Sequence, residues 1–263
     1  MQSPYFIYDG IKSTDMGLYI VRIGQSNNFV EVPYWGGANI EEERHYKKIT
    51  PYFYRVNREP IEFTVQFILA YNNMRIKDWT PQERNKIAKW LIQDTYKEFQ
   101  TSDDLSKYYY AICTSPANLN LMGNQGYIEL TFQTNSPYAW SPIYVEEYDL
   151  SDNEESTVIE LENRSNVLDY YYPKLEIELK DDATDIALKN LSDGGRIFSF
   201  TGLYENETVS IDNENKLILS NNPLSNPFSK FNRNWFRLVY GVNYIEVTGK
   251  CVIKVKSQFP IAQ

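Results

Sequence analysis

Histidine and cysteine are almost missing from this chain of 263 residues, which has one histidine, His45, and two cysteines, Cys113 and Cys251. A zinc site or a Ser–His or Cys–His catalytic pair would depend on that one imidazole, and no Gly-x-Ser-x-Gly elbow occurs in the chain. The cysteines lie far apart in apolar runs, where a free thiol behaves as a small buried hydrophobe. The composition therefore predicts neither a disulfide framework nor a metal site.

Long apolar runs and an excess of basic residues are also missing. The longest uncharged apolar stretch, residues 65–71, is too short to span a bilayer, and Met1–Pro4 lacks the basic and apolar regions of a signal peptide. The net charge of −9 disfavours specific binding of nucleic acid. We therefore expect a soluble protein, made in the cytoplasm, that does not insert into a membrane.

Phosphate cradles and acid–base motifs are absent as well. Gly36–Gly37 and Gly194–Gly195 are isolated pairs, and the calcium-loop spacing of acidic residues does not occur. The opening stretch FIYDGIKSTDMGLYIV carries two carboxylates, Asp9 and Asp15, but its Asp-Gly and Ser-Thr-Asp groups are typical of turns. We predict no catalytic residue, no cofactor and no enzymatic activity.

Aromatic residues, by contrast, make up 15% of the chain, and 22 of them are tyrosines. Tyrosine has an apolar ring and a polar tip, so it suits surfaces that are buried on one side and wet on the other. Large interfaces between proteins and sugar-binding surfaces share this bias. Composition alone does not distinguish a protein interface from a sugar-binding surface.

The first half of the chain mixes strands with one predicted helix. Residues 61–71 and 127–134 alternate apolar and polar side chains, which is typical of strands with one buried face. Thr80, followed by proline and Glu83, predicts a helix start with a capping box, and apolar spacing extends the helix over residues 81–99. Its predicted buried face is Ala88, Leu91, Ile92, Thr95, Tyr96 and Phe99.

Residues 35–60, WGGANIEEERHYKKITPYFYRVNREP, are rich in charge and aromatic side chains but have little periodicity. This composition fits a disordered loop or a projecting arm that orders against a neighbouring subunit. We favour the arm, because its aromatic side chains would otherwise lie in solvent. The residues predicted at the subunit interface are Trp35, Tyr46, Tyr52, Phe53 and Tyr54.

Residues 141–156, rich in proline, serine and acidic residues, are predicted to link an N-terminal domain (residues 1–140) to a C-terminal domain (residues 157–263). The second domain shows only short strands separated by turn residues, which is typical of an antiparallel jelly-roll sandwich. The predicted fold class is mainly β with one helix, with an α+β first domain and a β-sandwich second domain.

Two aromatic residues of the second domain, Trp235 and Tyr240, have two interpretations. They could stack on a sugar ring, as flat aromatic side chains do in lectin-like sandwiches. They could also belong to the core packing of an edge strand. We favour packing, because aromatic side chains stabilise most when they are buried.

Seven segments taken together resemble the distal tail proteins (Dit) of phages with long, non-contractile tails. They are FIYDGIKSTDMGLYIV, ERNKIAKWL, YYYAICTSPANL, GYIELTFQTNSPYAWSP, YPKLEIELK, ENETVSIDNENKLI and NWFRLVYGVNYIEVTG. No single segment is diagnostic, but their order and spacing together are fairly specific. The resemblance implies that the first domain forms a hexameric ring at the tail tip and that the second is a galectin-like or carbohydrate-binding-module-like sandwich.

In that family the ring joins the tail tube to the tip and baseplate complex, attaches adhesion components and lets DNA pass. The resemblance therefore implies a virion protein whose partners are its own copies, in one ring or two back to back, the tail tube protein and a tip or lysin protein. A receptor-binding protein is a further candidate partner, although the second domain is too short for the inserted arm that grips it in larger members. The alternative is a carbohydrate-binding module that adheres to cell-wall glycans of the host.

Overall fold

Strands are the main secondary structure in the computed structural model, which describes residues 5–23, 37–114, 118–167 and 169–262. One α-helix occurs among these residues, so the predicted mainly β fold with one helix is confirmed. The chain falls into two compact units, the first ending at Trp140 and the second spanning Ser141–Ile261. Each unit has a hydrophobic core of its own.

The first unit is built around one antiparallel sheet and the helix. Its elements are β1 (Phe6–Tyr8), β2 (Ile11–Lys12), a 3-10 turn (Ser13–Met16), β3 (Leu18–Ile23), β4 (Ala38–Glu43), β5 (Tyr52–Arg58), β6 (Glu62–Leu69), α1 (Pro81–Leu91), β7 (Lys97–Thr101), β8 (Asp104–Cys113), β9 (Asn118–Met122), β10 (Gln125–Thr134) and β11 (Ala139–Trp140). The strand order is β2-β1-β7-β8-β10-β6-β3, with β9 beside β10. Strands β4 and β5 form a separate two-stranded sheet.

Aromatic rings form the centre of this first core. Phe99 lies 5.3 Å from Phe6, 5.0 Å from Phe63 and 5.2 Å from Phe132, measured between ring centroids. Ring pairs at these distances add to the stabilisation that burial alone provides. The alternation predicted for residues 61–71 and 127–134 places Phe63 and Phe132 on the inward face, where they lie directly opposite each other on β6 and β10.

The opening stretch folds as a hairpin and a turn. Asp9 and Gly10 connect β1 to β2 with φ angles of 52° and 75°, a left-handed pair that suits a tight hairpin turn. Asp15 lies in the 3-10 turn that precedes Gly17, whose N–H donates to the carbonyl of Thr14 at 2.9 Å. Both carboxylates therefore occupy turns, as their neighbours in the sequence predicted.

The helix begins where the sequence predicts. Thr80 Oγ1 accepts a hydrogen bond from the Glu83 N–H at 3.3 Å, and proline occupies the first helical position. In a complete capping box the Glu83 carboxylate would also accept a hydrogen bond from the Thr80 N–H. Here that carboxylate pairs with Lys77 instead. Trp90 fixes the helix to the sheet by donating its indole N–H to the carbonyl of Tyr8 at 3.0 Å.

The predicted helix over residues 81–99 is wrong in its second half. The helix ends at Leu91, and Ile92 and Tyr96, predicted to be buried, are exposed. Strand β7 follows, and it lies between β1 and β8. Pairing on both sides buries Phe99 in the aromatic core, and this burial overrides the helical spacing of the apolar residues.

The second unit is an antiparallel sandwich, as predicted. Its strands are β12 (Tyr144–Leu150), β13 (Ser156–Asn163), β14 (Lys174–Leu179), β15 (Ile186–Asn190), β16 (Arg196–Phe200), β17 (Thr208–Asp212), β18 (Leu217–Ser220), β19 (Gly241–Thr248), β20 (Cys251–Ser257) and β21 (Pro260–Ile261), with a 3-10 turn at Pro227–Lys230. One sheet has the order β12-β20-β14-β17-β18 and the other β13-β19-β15-β16. The chain passes repeatedly between the sheets, which is typical of jelly rolls.

Both sheets contribute to one core. Ile177 and Ile253 point inward from the first sheet, and Ile159 and Ile245 point inward from the second, all in the same buried cluster. The side chains that alternate with them are more exposed. This period of two is the pattern of a sheet with one face buried and one face wet.

The predicted linker over residues 141–156 is wrong for about half of its length. Residues 144–150 form β12, which pairs with β20 from Tyr144 opposite Ser257 to Leu150 opposite Cys251. The stretch is polar because β12 is an edge strand with one face in solvent, and its composition therefore resembles that of a linker.

Asp212 fastens the turn between β17 and β18. Its carboxylate accepts hydrogen bonds from the Asn215 N–H (3.0 Å) and the Asn215 side-chain amide (3.1 Å), and Lys174 Nζ lies 2.8 Å away. Burial by itself raises the pKa of this carboxyl, but the hydrogen bonds from Lys174 and Asn215 outweigh that effect and lower the pKa to about 2. Folding therefore favours the charged carboxylate form of Asp212.

We expect Asp212→Asn to lower the free energy of unfolding at pH 6 by on the order of 2 kcal/mol. Because the folded-state pKa is lowered, this stabilisation is complete above the ordinary pKa of 3.8 and is lost as the pH falls towards 2. Urea denaturation of both proteins at several pH values measures it. The difference between them should shrink on acidification, and a difference that stays constant would contradict the assignment.

Candidate assembly surface on the β4–β5 hairpin

Strands β4 and β5 form a hairpin that is separate from the other sheets. They pair with each other over residues 38–43 and 52–58, and with no other strand in the described part of the chain. At the base, the N–H of Glu59 donates to the carbonyl of Gly37 at 2.8 Å. Residues 38–58 are called the arm below.

Polar contacts within the arm hold its shape. The Glu41 carboxylate accepts hydrogen bonds from Arg55 at 2.7 Å and from Asn57 at 2.6 Å, and the Tyr54 hydroxyl donates to Glu43 at 2.6 Å. The bonds from Arg55 and then Asn57 lower the pKa of Glu41, and the bond to Glu43 raises the pKa of Tyr54. These polar contacts among its own residues hold the shape of the arm. None of its residues belongs to either hydrophobic core of the described part of the chain.

One face of the arm is apolar at its middle. Ile40 lies opposite Val56, and the next pair along is Glu41 opposite Arg55. Because successive side chains of a strand point to opposite faces, Ile40 and Val56 share the face opposite the ion pair. Both apolar side chains are exposed. The polar network therefore lies on one face of the arm and leaves the other open for contact.

Seven large apolar side chains of the arm are exposed to solvent. They are Ile40, Tyr46, Ile49, Tyr52, Phe53, Tyr54 and Val56. Tyr46 is 92% exposed and Ile49 is fully exposed. Exposed apolar side chains that lie close together mark sites of interaction with other proteins.

The tip of the arm, residues 44–51 between β4 and β5, is cationic, although the chain as a whole is acidic. Lys48 Nζ lies 3.0 Å from the centroid of the Tyr52 ring, and Lys47 Nζ lies 5.5 Å from that of Tyr46. The only histidine, His45, lies 3.1 Å from a Glu43 carboxylate oxygen in this exposed tip. The tip thus offers aromatic rings with cations beside them, a surface that suits an acidic partner.

The structure places four of the five predicted interface residues on the arm, where Tyr46, Tyr52, Phe53 and Tyr54 are all exposed. The fifth, Trp35, lies outside the described residues. That these side chains contact a neighbouring subunit stays a prediction. Sequence reasoning missed Ile40, Ile49 and Val56. Recognition of the two strands would have found Ile40 and Val56, but the charged residues around them obscured the alternation.

The predicted glycan-stacking residues lie in the loop between Phe231 and β19. The Trp235 ring is half-buried and lies 4.9 Å from the Phe231 ring, packed against the sandwich core, whereas Tyr240 is exposed. Asn213 positions this loop by accepting a hydrogen bond from the Phe236 N–H at 3.0 Å. Stacking on a sugar stays a prediction, and core contact occupies part of the Trp235 ring.

The described residues contain no group of three or more His, Cys, Asp or Glu side chains that could hold a metal ion. Both cysteines are thiols, and burial raises the pKa of Cys251 to about 12. None of the described helices has the length and apolar character that crossing a membrane requires.

Two family matches cover the chain. Residues 1–136 match the family described as phage tail protein N-terminal domain, and residues 138–257 match the family described as phage tail C-terminal domain. The chain is also similar to an SPbeta prophage-derived uncharacterized protein of Bacillus subtilis (strain 168), YomH. The two are 26% identical, and the alignment covers 98% of each.

A solved structure shares the fold. It is the Dit protein (gp 19.1) of phage SPP1, described as a paradigm of the hub adsorption apparatus in phages that infect Gram-positive hosts. The TM-score is 0.69 with 17% sequence identity, over 97% of this chain and 98% of that one. At this identity the similarity concerns the fold.

Proposed function

The chain belongs to the phage tail protein family, and from that premise we propose that it is the structural hub of a tail tip, built as a hexameric ring. The ring joins the tail tube to the tip, baseplate and adhesion complex and lets DNA pass through its centre. The role is mechanical and not enzymatic. The protein is made in the host cytoplasm and becomes part of the virion without entering a membrane.

The observation that carries this proposal is the arm. A closed ring needs a heterologous interface, in which one surface of each subunit meets a different surface of the next. The arm supplies one such surface: its strands pair with each other, one face is apolar, and none of its residues belongs to the buried clusters of the described part of the chain. Obligate interfaces commonly bury more than ~2,000 Å² in total, so the arm is expected to act together with other parts of the first unit.

The acidity of the chain supports passage of DNA. With a net charge of −9 per subunit, the ring would carry an excess of negative charge overall. Lysine and arginine that neutralise phosphates release counterions and hold the polyanion, whereas an acidic or neutral wall does not. The proposed partners are therefore proteins: further copies of this chain, the tail tube protein and a tip or lysin protein. A receptor-binding protein remains a weaker candidate.

Purified protein at micromolar concentration tests the ring directly. We expect native mass spectrometry to give six copies, or twelve if two rings stack, and negative-stain images to show an annulus with a central opening. Disruption of the arm should remove both signals. Monomers that persist at tens of micromolar, without any annulus, would contradict the proposal.

A further inference from the structure

A groove of about 430 Å³ crosses the outer face of the five-stranded sheet of the sandwich. Four adjacent strands, β20, β14, β17 and β18, and the edge strand β12 all contribute to its lining. Its volume lies in the range of pockets that hold small ligands. The groove lies in the second unit, whereas the arm lies in the first.

Cross-strand pairing places two lysines side by side in this groove. Lys256 of β20 lies directly opposite Lys174 of β14, and both point to the outer face. Like charges directly opposite each other in a sheet are destabilising unless a counter-charge is present. Asp212 on the next strand supplies that charge to Lys174, at 2.8 Å. In the described part of the chain Lys256 makes no ion pair and is exposed.

The next row of the groove alternates donors and acceptors. Lys254 lies 3.7 Å from a carboxylate oxygen of Glu147 and 4.0 Å from one of Glu176, so it is shared loosely between the two. Ser210 lies opposite Glu176 on β17 and lines the groove with its hydroxyl group. Ammonium donors, carboxylate acceptors and a hydroxyl thus lie on neighbouring strands, about one strand spacing (~4.8 Å) apart.

Apolar side chains border this polar floor on both sides. Leu217 and Leu219 of β18 line one end and Val145 of β12 the other, and all three are exposed. A ligand that fits must therefore offer apolar surface beside many hydrogen-bonding groups. Sugar rings do so, since their C–H faces lie next to their hydroxyl groups.

We propose that this groove binds an anionic saccharide, with its ring hydroxyls on Lys254, Glu176 and Ser210, its apolar faces on Leu217 and Leu219, and its carboxylate or phosphate group on Lys256. The charge of Lys256 selects the anionic substituent, because the other two lysines already have carboxylate partners. No bond is made or broken. The site differs from the Trp235 and Tyr240 surface, and it adds an adhesive property to the proposed hub.

Isothermal titration calorimetry on the full chain tests the site with trigalacturonate and its methyl ester, in which methyl groups replace the negative charges of the carboxylates. We expect the acid to bind and the ester to bind at least threefold more weakly. Lys256→Gln should weaken binding of the acid by about three- to fivefold, the worth of an exposed ion pair, and should leave binding of the ester unchanged. Lys86→Gln, the same change at an exposed residue of α1, should affect neither.

Three outcomes overturn the proposal. The first is no heat of binding from either compound at 10 mM. The second is equal binding of acid and ester to the unchanged protein. The third is displacement of trigalacturonate by inorganic phosphate at matched charge, since the groove would then hold a bare anion and not a saccharide. Retention of rings by Lys256→Gln separates a failure of this site from a failure of the hub.

Discussion

A chain in which a single glycine replaces residues 39–58 is expected to fold normally and to remain a monomer. The replacement leaves Gly37-Ala38-Gly-Glu59, a four-residue turn. Its closing hydrogen bond is the one that the Glu59 N–H already makes to the Gly37 carbonyl. The removed strands pair only with each other among the described residues, so neither core loses a contact partner. Loss of the ring would then follow from loss of an interface.

Native mass spectrometry and thermal unfolding measure the two halves of this prediction. The shortened chain should give monomers with a melting temperature close to that of the full chain. Rings that persist would place the subunit interface elsewhere in the first unit. A shortened chain that fails to fold would show that the arm contributes to a core, against its exposure in the isolated subunit.

A pair of point variants gives the same test without shortening the chain. Ile49→Ser changes a fully exposed side chain at the tip of the arm, and Ile92→Ser makes the same change at a side chain that is 73% exposed outside it. We expect Ile49→Ser to weaken assembly about 10- to 150-fold, because burial of an isoleucine is worth ~1.5–3 kcal/mol. Ile92→Ser should leave assembly unchanged.

Phe99→Ala is expected to destabilise the first unit by about 3–5 kcal/mol, the cost of replacing a buried phenylalanine and leaving a cavity. The Phe99 ring lies within about 5 Å of Phe6, Phe63 and Phe132, and these rings come from three other strands. A loss of this size is a large part of the 5–15 kcal/mol that folded domains typically have. Urea denaturation gives the value.

The matched control is Phe53→Ala, the same chemical change at a phenylalanine that is 62% exposed on the arm. We expect Phe53→Ala to change the free energy of unfolding by less than about 0.5 kcal/mol, as is usual for surface substitutions. Its effect should appear in assembly instead. Equal destabilisation by the two variants would mean that Phe53 is buried within its own subunit, which would contradict the arm as an interface.

Local patterns in the sequence determined the regular parts of this protein. The alternation of residues 61–71 and 127–134 predicted β6 and β10, because period two belongs to a strand with one buried face. Thr80 and its proline predicted where α1 begins, since capping depends on neighbours a few residues away. The aromatic composition of residues 35–60 predicted a projecting arm, because exposed aromatic clusters are typical of interaction surfaces. Contact of this arm with a neighbouring subunit stays a prediction.

Only the tertiary structure decided the features that depend on pairing between distant strands. The end of α1 follows from the position of β7 between β1 and β8, which buries Phe99 in the aromatic core. The supposed linker is β12 because β20, a hundred residues later, supplies its partner. The same holds for Lys256 opposite Lys174. Such contacts depend on which strands become neighbours in the sheet. Local sequence patterns do not determine that pairing.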